Sequence, residues 1–224
     1  MQRKIISTAD GSPSLFVEDI KETYHSRHGA VTESAHVYIK KGLSFWYENH
    51  QKDTVRIFEM GWGTGLNTYL TYLFFAGKEN SCEYTAVEKY PLNQMELQAL
   101  EMKKSLPASQ HHAYFDQMHQ QPWEQFLSLH HFIFKKRQDD FLTMKISQTF
   151  DLVYYDAFGH HAQSEMWQEP ALKKCYDIME PHGVWVSYCA KGSVRRTLQN
   201  IGFAVERLEG PPGKREMLRA IKAV

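Results

Sequence analysis

Four carboxylates in this sequence close or follow short apolar runs: Glu59 after Val55-Arg56-Ile57-Phe58, Glu88 after Cys82 to Val87, Asp140 beyond Phe132-Ile133-Phe134, and Asp156 after Leu152-Val153-Tyr154-Tyr155. A carboxylate at the tip of a strand can accept hydrogen bonds from sugar hydroxyls, hold a cationic group, or take up a proton. Directly after Glu59 come three glycines at alternate positions, Gly61, Gly63 and Gly65, with Trp62 and Thr64 between them. Glycine tolerates positive φ and lacks a Cβ, so backbone in such a turn can lie against a ligand. A helix that opens after Gly65 would point its free N–H groups the same way.

The spacing narrows the ligand. A phosphate-gripping loop needs a lysine followed by Ser or Thr, which is missing, and the dinucleotide fingerprint puts its third glycine three residues after the second. The pattern here, E-x-G-x-G-x-G, suits a nucleoside cofactor without a pyrophosphate, and S-adenosyl-L-methionine (SAM) is the leading candidate. In that reading Glu59, Gly61, Trp62, Gly63, Thr64 and Gly65 pack on the cofactor, with Glu59 helping to hold its cationic end. Glu88, roughly 20 residues beyond the turn, stands where ribose hydroxyls are gripped. Asp140, followed at once by Phe141 and Leu142, suits the adenine amino group. Asp156 and Phe158 fall on the facing rim, beside the sulfonium.

The elements needed to place these groups read as alternating strands and helices. Val55 to Glu59 is a strand, Leu66 to Ala76 an apolar helix stopped by Gly77, and Cys82 to Val87 a second strand. Pro91 is expected to open a long amphipathic helix through about Lys104. Pro107 to Pro122 reads as a polar, histidine-rich connection, and Trp123 to His131 as helix. Phe132 to Phe134 and Phe150 to Tyr155 are strands. Glu165 to Glu180 alternates like a helix that Pro181-His182-Gly183 ends, ahead of a strand over Val184 to Tyr188. A short basic helix spans Gly192 to Asn200, and a strand at Val205 to Arg207, a turn and a last strand close the chain. Ahead of all this, residues 1–52 read as a cap over the cleft, with a short hairpin around Leu15-Phe16-Val17, and 53–224 as the cofactor-binding domain. No repeat or low-complexity segment is present.

Composition sets further bounds. The chain has 224 residues, 42% of them hydrophobic, enough for one sizeable core. No apolar run has the length of a membrane span, and Met1-Gln2-Arg3-Lys4-Ile5 lacks a signal peptide's apolar stretch, so cytoplasmic residence is expected. Cys82, Cys175 and Cys189 are odd in number and not at ligand spacing, which implies reduced thiols rather than a disulfide frame or a zinc site. The histidine pairs 111/112, 130/131 and 160/161 are not one helical turn apart, and no metal is expected. The formal net charge is zero. From Cys189 onward, however, eight basic residues face three acidic ones, and Lys191, Arg195, Arg196, Lys214 and Arg215 could meet phosphates.

With these positions in place, the chain resembles a class I SAM-dependent methyltransferase. The last third is more specific. Asp156-Ala157-Phe158, Met166-Trp167, the Pro-His-Gly turn, Val194-Arg195-Arg196-x-Leu198-Gln199-x-x-Gly202-Phe203 and Gly213-Lys214-Arg215-Glu216-Met217-Leu218 follow in an order that resembles the MnmD family and the N-terminal domain of bifunctional MnmC. These are tRNA 5-methylaminomethyl-2-thiouridine methyltransferases. The resemblance implies a Rossmann-like α/β fold: a mostly parallel seven-stranded sheet, helices on both faces, and a small β-rich cap. It implies methylation of the aminomethyl nitrogen of a tRNA wobble uridine, with Asp156 as acceptor and orienter of the amine. Phe158 would stack on the base, and Lys191, Arg195, Lys214 and Arg215 would meet the anticodon-loop backbone. Two departures stand out. Ala157-Phe158-Gly159-His160-His161 lacks the proline often found after the strand-end aspartate, which alters the substrate loop. Because the sequence ends at Val224, a stand-alone methyltransferase without the FAD oxidoreductase module is expected. A spermidine-synthase-like aminopropyltransferase, another SAM-dependent amine methyltransferase and a non-catalytic SAM-binding module remain open as alternatives.

Overall fold

The computed structural model describes residues 2–223. It opens with a small antiparallel sheet of β1 (Arg3–Ser7), β2 (Pro13–Val17) and β3 (Glu22–Thr23). A continuous helical stretch follows, α1 (Ala30–Ser34), a ten-residue π-helical segment (Ala35–Ser44) and α2 (Phe45–Asn49). So long a π-helical run is rare, and such segments often accompany function.

Among the described residues the main sheet has eight strands rather than the seven expected. They are β4 (Thr54–Met60), β5 (Ser81–Glu88), β6 (Phe126–Leu129), β7 (Phe132–Gln138), β8 (Phe150–Tyr155), β9 (Met179–Ser187), β10 (Phe203–Glu209) and β11 (Glu216–Lys222), in the spatial order β10-β11-β9-β8-β4-β5-β7-β6. β9, β8, β4, β5 and β7 are parallel; β11, β10 and β6 join antiparallel at the edges. The eighth strand is β6, a hairpin partner of β7.

Helices α3 (Leu66–Phe75), α4 (Gln94–Leu100), α5 (His112–Gln120), α6 (Glu169–Asp177) and α7 (Gly192–Ile201) connect the strands. Central strands are apolar along both faces because each face is covered. In β8, Leu152 and Tyr154 enter one buried cluster, with Val37, Tyr38 and Tyr69, while Val153 and Tyr155 enter another, with Leu172, Cys175 and Trp185. The π-helical segment thus packs on the first face of the sheet as part of its core, and Gly42 comes so near β9 that an added Cβ would stand 2.8 Å from Val186.

Several local expectations are corrected. The helix after Pro91 begins later, with Asn93 as its cap in a reciprocal bond with Glu96, and it breaks at Glu101, a left-handed residue. The stretch read as a polar connection holds α5, anchored by Phe115 and Met118, which point into the core. The stretch read as helix from Trp123 holds β6, and the i, i+3, i+4 placing of Trp123, Phe126 and Leu127 mimics helical spacing. Pro181-His182-Gly183 does not end a helix; it is an irregular part of β9, tolerated because the register with β8 shifts there.

Candidate active site

Strand order reverses between β4 and β8, since the chain builds β5 and β7 on one side and returns to build β8 and β9 on the other. Ligands of open α/β sheets bind in the crevice at such a point. The Asp156 N–H donates to the Met60 carbonyl at 2.9 Å and ties the two strand tips together. Gly61 has φ +91°, and a Cβ there would lie 2.3 Å from the Asp156 carbonyl oxygen, so the two backbones can approach only with glycine. The N–H groups of Gly61 and Trp62 both donate to the Val87 carbonyl. Gly63 N–H donates to Glu88 Oε2 at 3.1 Å, and Tyr90 N–H to Glu88 Oε1 at 2.8 Å.

The cleft above these tips, about 290 Å³, is lined by Gly61, Trp62, Gly63, Thr64, Glu88, Asp140, Asp156, Phe158 and Lys214 among the residues singled out in the sequence. Glu59 and Gly65 do not line it. Glu59 lies wholly buried beneath the loop, where Tyr84 Oη (2.8 Å), Thr68 Oγ1 (2.9 Å) and Asn67 Nδ2 (3.0 Å) donate to it. Burial pushes its carboxyl up to about 8 against these donors. Trp62 Nε1 donates to Thr68 Oγ1, so one chain of bonds runs from the loop to Glu59. Gly65 starts α3 in the left-handed region with His119 and Trp62 packed on it. Asp140 accepts from Leu142 N–H and pairs with Lys89 at 2.9 Å, and that lysine, with the backbone bond, lowers its pKa despite partial burial.

Across the crevice, Asp156 Oδ2 accepts from Asn67 Nδ2 at 2.9 Å. Burial raises its pKa to about 7; Tyr38, Asn67 and Lys214 oppose the shift and the Glu33 charge adds to it. The buried Asn67 Oδ1 and Tyr38 Oη have no hydrogen-bond partner among the described residues, although the Tyr38 hydroxyl feels the Asp156 charge strongly. Phe158 meets Tyr24 edge to face at 5.1 Å, and its backbone is fixed by Gln163 and Trp167.

Lys214 reaches from the β10–β11 turn into the cleft. Its Nζ stands 2.7 Å from Glu33 Oε1 and 3.7 Å from the Tyr188 ring centroid, so it does not project from the surface as its sequence position suggested. Lys191, Arg195 and Arg215 do not line the cleft. They sit on the same rim, because α7 follows the carboxyl end of β9 and the 210–215 turn precedes the β11 residues paired with it. Sequence reasoning missed Glu33, Tyr38 and Asn67. Asn67 carried a signal, as the one amide on a buried, largely apolar helix; Tyr38 carried none, since only the π-helical geometry turns it to the site.

This donor set fits a nucleoside carrying a cationic amino-acid arm. Glu88 and Asp140 stand at one end, the unpaired Asn67 Oδ1 and the Asp156 carboxyl form the floor, and the opposed charges of Glu33 and Lys214 suit a zwitterion. Such a cleft, on such a sheet, defines a SAM-dependent group-transfer enzyme. A family model described as S-adenosyl-L-methionine-dependent methyltransferase matches residues 112–223, and the chain belongs to that family. The chain is 28% identical over 93% of its length to the tRNA 5-methylaminomethyl-2-thiouridine biosynthesis bifunctional protein MnmC of Marinomonas sp. (strain MWYL1). It is 26% identical over 88% to the protein of that name from Burkholderia thailandensis. It spans about a third (32%) of the length of each. The crystal structure of MNMC2 from Aquifex aeolicus has the same fold, with a TM-score of 0.80 and 24% identity over 98% of this chain and 70% of that one. The protein is thus a SAM-dependent methyltransferase with the class I fold. Among the described residues no helix is long and apolar enough to cross a membrane, and no group of three His, Cys, Asp or Glu is placed to hold a metal.

Proposed function

We propose that this enzyme methylates the aminomethyl nitrogen of 5-aminomethyl-2-thiouridine at the tRNA wobble position, giving 5-methylaminomethyl-2-thiouridine. The observation that carries the reading is the setting of Asp156, at the switch point, with its carboxyl raised to about 7 and facing the cleft between the glycine loop and Phe158. The names of the MnmC relatives supply the substrate class.

When bound, SAM supplies a methyl group made electrophilic by its sulfonium. The chain does the rest. Glu33 and Lys214 would hold the amino-acid end, Glu88 the ribose and Asp140 the adenine, with Gly61, Trp62, Gly63 and Thr64 along the nucleoside. Glu59 and Gly65 act from below, shaping the loop. An alkylamine is an ammonium near neutral pH and has no lone pair for attack. Asp156, with Oδ2 held by Asn67, leaves Oδ1 to take the amine's proton and aim the lone pair, and alignment supplies much of the rate gain. Phe158 stacks on the splayed uracil, as aromatic side chains do with unpaired RNA bases. Lys191, Arg195 and Arg215, together with Arg196, have no ion pair among the described residues and meet the anticodon-loop backbone, whereas Lys214 serves the cleft.

The fit to a methyltransferase family sets aside aminopropyl transfer. The test is incubation with labelled SAM and bulk tRNA from cells lacking the final methylation, followed by digestion to nucleosides. Label in 5-methylaminomethyl-2-thiouridine supports the reading; label in another nucleoside, or in none, overturns it.

A further inference from the structure

Thr64 stands at the apex of the glycine loop and is only 2% exposed. Two imidazoles reach it from opposite sides. His25, on the connection from β3 to α1, brings Nε2 to 3.2 Å from Thr64 Oγ1. His119, in the last turn of α5, brings Nε2 to 3.1 Å from the Thr64 carbonyl oxygen. A carbonyl only accepts, so His119 must carry its proton on Nε2, and its buried Nδ1 correspondingly has no partner among the described residues. For His25, the Ser14 hydroxyl in β2 accepts from its backbone N–H at 3.1 Å and lies 3.3 Å from its Nδ1. Ser14 can therefore donate to Nδ1 and leave Nε2–H for Thr64.

Both rings stay neutral at physiological pH. Burial lowers His25 to about 4 against the pull of Glu33 and Asp10. Burial and then the Lys136 charge lower His119 to about 4 as well. Lys136 is itself buried, donating to the Met118 and His119 carbonyls at 2.9 and 2.8 Å, with Trp62 and Trp123 rings 4.5 and 4.9 Å from its Nζ. That cation closes the C-terminal end of α5 and fixes the segment that carries His119.

We infer that His25 and His119 are positioning residues forming a two-sided clamp on Thr64, which sets the donor-binding shape of the glycine loop and makes it depend on the seating of the N-terminal cap. The inference rests on the loop being the SAM site. His25 ties the loop to β2 and β3, and His119 ties it to the sheet edge that carries β7. With its oxygen accepting from His25, the Thr64 hydroxyl keeps its own proton for an acceptor in the cleft.

The test measures SAM affinity by calorimetry, with kcat and KM, for wild type, His25→Ala, His119→Ala and Thr64→Val. His25→Ala and His119→Ala are each expected to weaken SAM binding about five-fold, the size of one lost hydrogen bond, with kcat at saturation within about two-fold, and Thr64→Val, which also loses its own contact in the cleft, to weaken SAM binding at least as much. Thr64→Val combined with His25→Ala should bind no worse than Thr64→Val alone, because the bond from His25 is already lost with the hydroxyl. Lower thermal stability with unchanged SAM affinity would mean a merely structural role and overturn the clamp. Imidazole 15N spectra of the unmutated protein at pH 7 give an answer that needs no variant to fold. Two neutral Nε2–H rings support the inference, and a charged ring or an Nδ1–H tautomer at either position overturns it. A wild type that binds no SAM removes the donor site and the clamp together, whereas equal binding by all variants removes the clamp alone.

Discussion

The two walls of the cleft differ in how far the chain satisfies its own polar groups. On the wall built from β4, β5 and β7, the N–H groups of Gly61, Trp62, Gly63 and Gly65, both oxygens of Glu88, the Thr64 hydroxyl oxygen and carbonyl, and Asp140 all have partners. Around Asp156 at the tip of β8, Asn67 Oδ1 from α3 and Tyr38 Oη from the π-helical segment have none among the described residues, Asp156 accepts one bond, from Asn67, and Lys191, Arg195 and Arg215 on the rim have no ion pair among the described residues. The first wall is preorganised for a small ligand of fixed shape. The second leaves its rim cations for a large, charged partner to satisfy. Unpaired buried polar groups cost free energy, so they persist where a ligand completes them.

The sharpest way to break this contrast is on the second wall. Asp156→Ala is expected to lower kcat about 10²- to 10⁴-fold while leaving the SAM dissociation constant within about three-fold, measured by methyl-transfer assay and calorimetry. Comparable loss of both would place Asp156 on the cofactor side instead. In the unmutated enzyme, kcat/KM should rise with pH through about 7 as Asp156 loses its proton, before other groups intervene.

The finished wall should fail differently. Gly61→Ala puts a Cβ 2.3 Å from the Asp156 carbonyl oxygen at φ +91°, and about 3 kcal/mol of stability should be lost in urea unfolding. A loss within about 0.5 kcal/mol would show that the strand tips can part at little cost.

Removing Lys191, Arg195 and Arg215 together should weaken tRNA binding roughly ten-fold and flatten its salt dependence by up to about one slope unit for each phosphate left without its cation. SAM affinity should not move. An unchanged slope would separate this rim from the RNA.

The smallest effect is on stability against pH. Glu59 and Asp156 have folded pKa values of about 8 and 7, raised from 4.5 and 3.8, so between about pH 4 and 8 the native state binds more protons than the unfolded chain. Their contribution to stability is therefore fullest at low pH and is lost as pH rises through that window. The thermal midpoint of the ligand-free protein should fall by roughly 5 °C from pH 5 to pH 8, and Glu59→Gln should halve that fall. A midpoint rising over the same range in Glu59→Gln and wild type alike would remove these two groups as its cause.

Much of the fold was legible because its central strands are short apolar runs that end in a charge or a glycine, as at Phe58-Glu59 and Tyr155-Asp156. The edge was harder. Phe126 to Leu129 forms half of a two-sided hairpin whose outer face is exposed, so its pattern does not separate strand from helix. In the same way α5 hides among histidines and glutamines, since Phe115 and Met118 alone anchor it.

The sequence by itself determined the local chemistry: the alternate glycines, the carboxylates at strand tips, and the order of strands and helices that puts those tips on one rim. These follow from backbone freedom and side-chain periodicity, which act over a few residues. Only the tertiary structure decided that Glu59 turns inward beneath the loop, that Lys214 crosses to Glu33, and that Tyr38 and Asn67 meet at Asp156. The Glu59 bonds join residues 8 to 25 positions apart, while the other two relations span 89 to 181 positions or depend on a π-helical segment, and packing of this kind leaves no periodic trace in the chain.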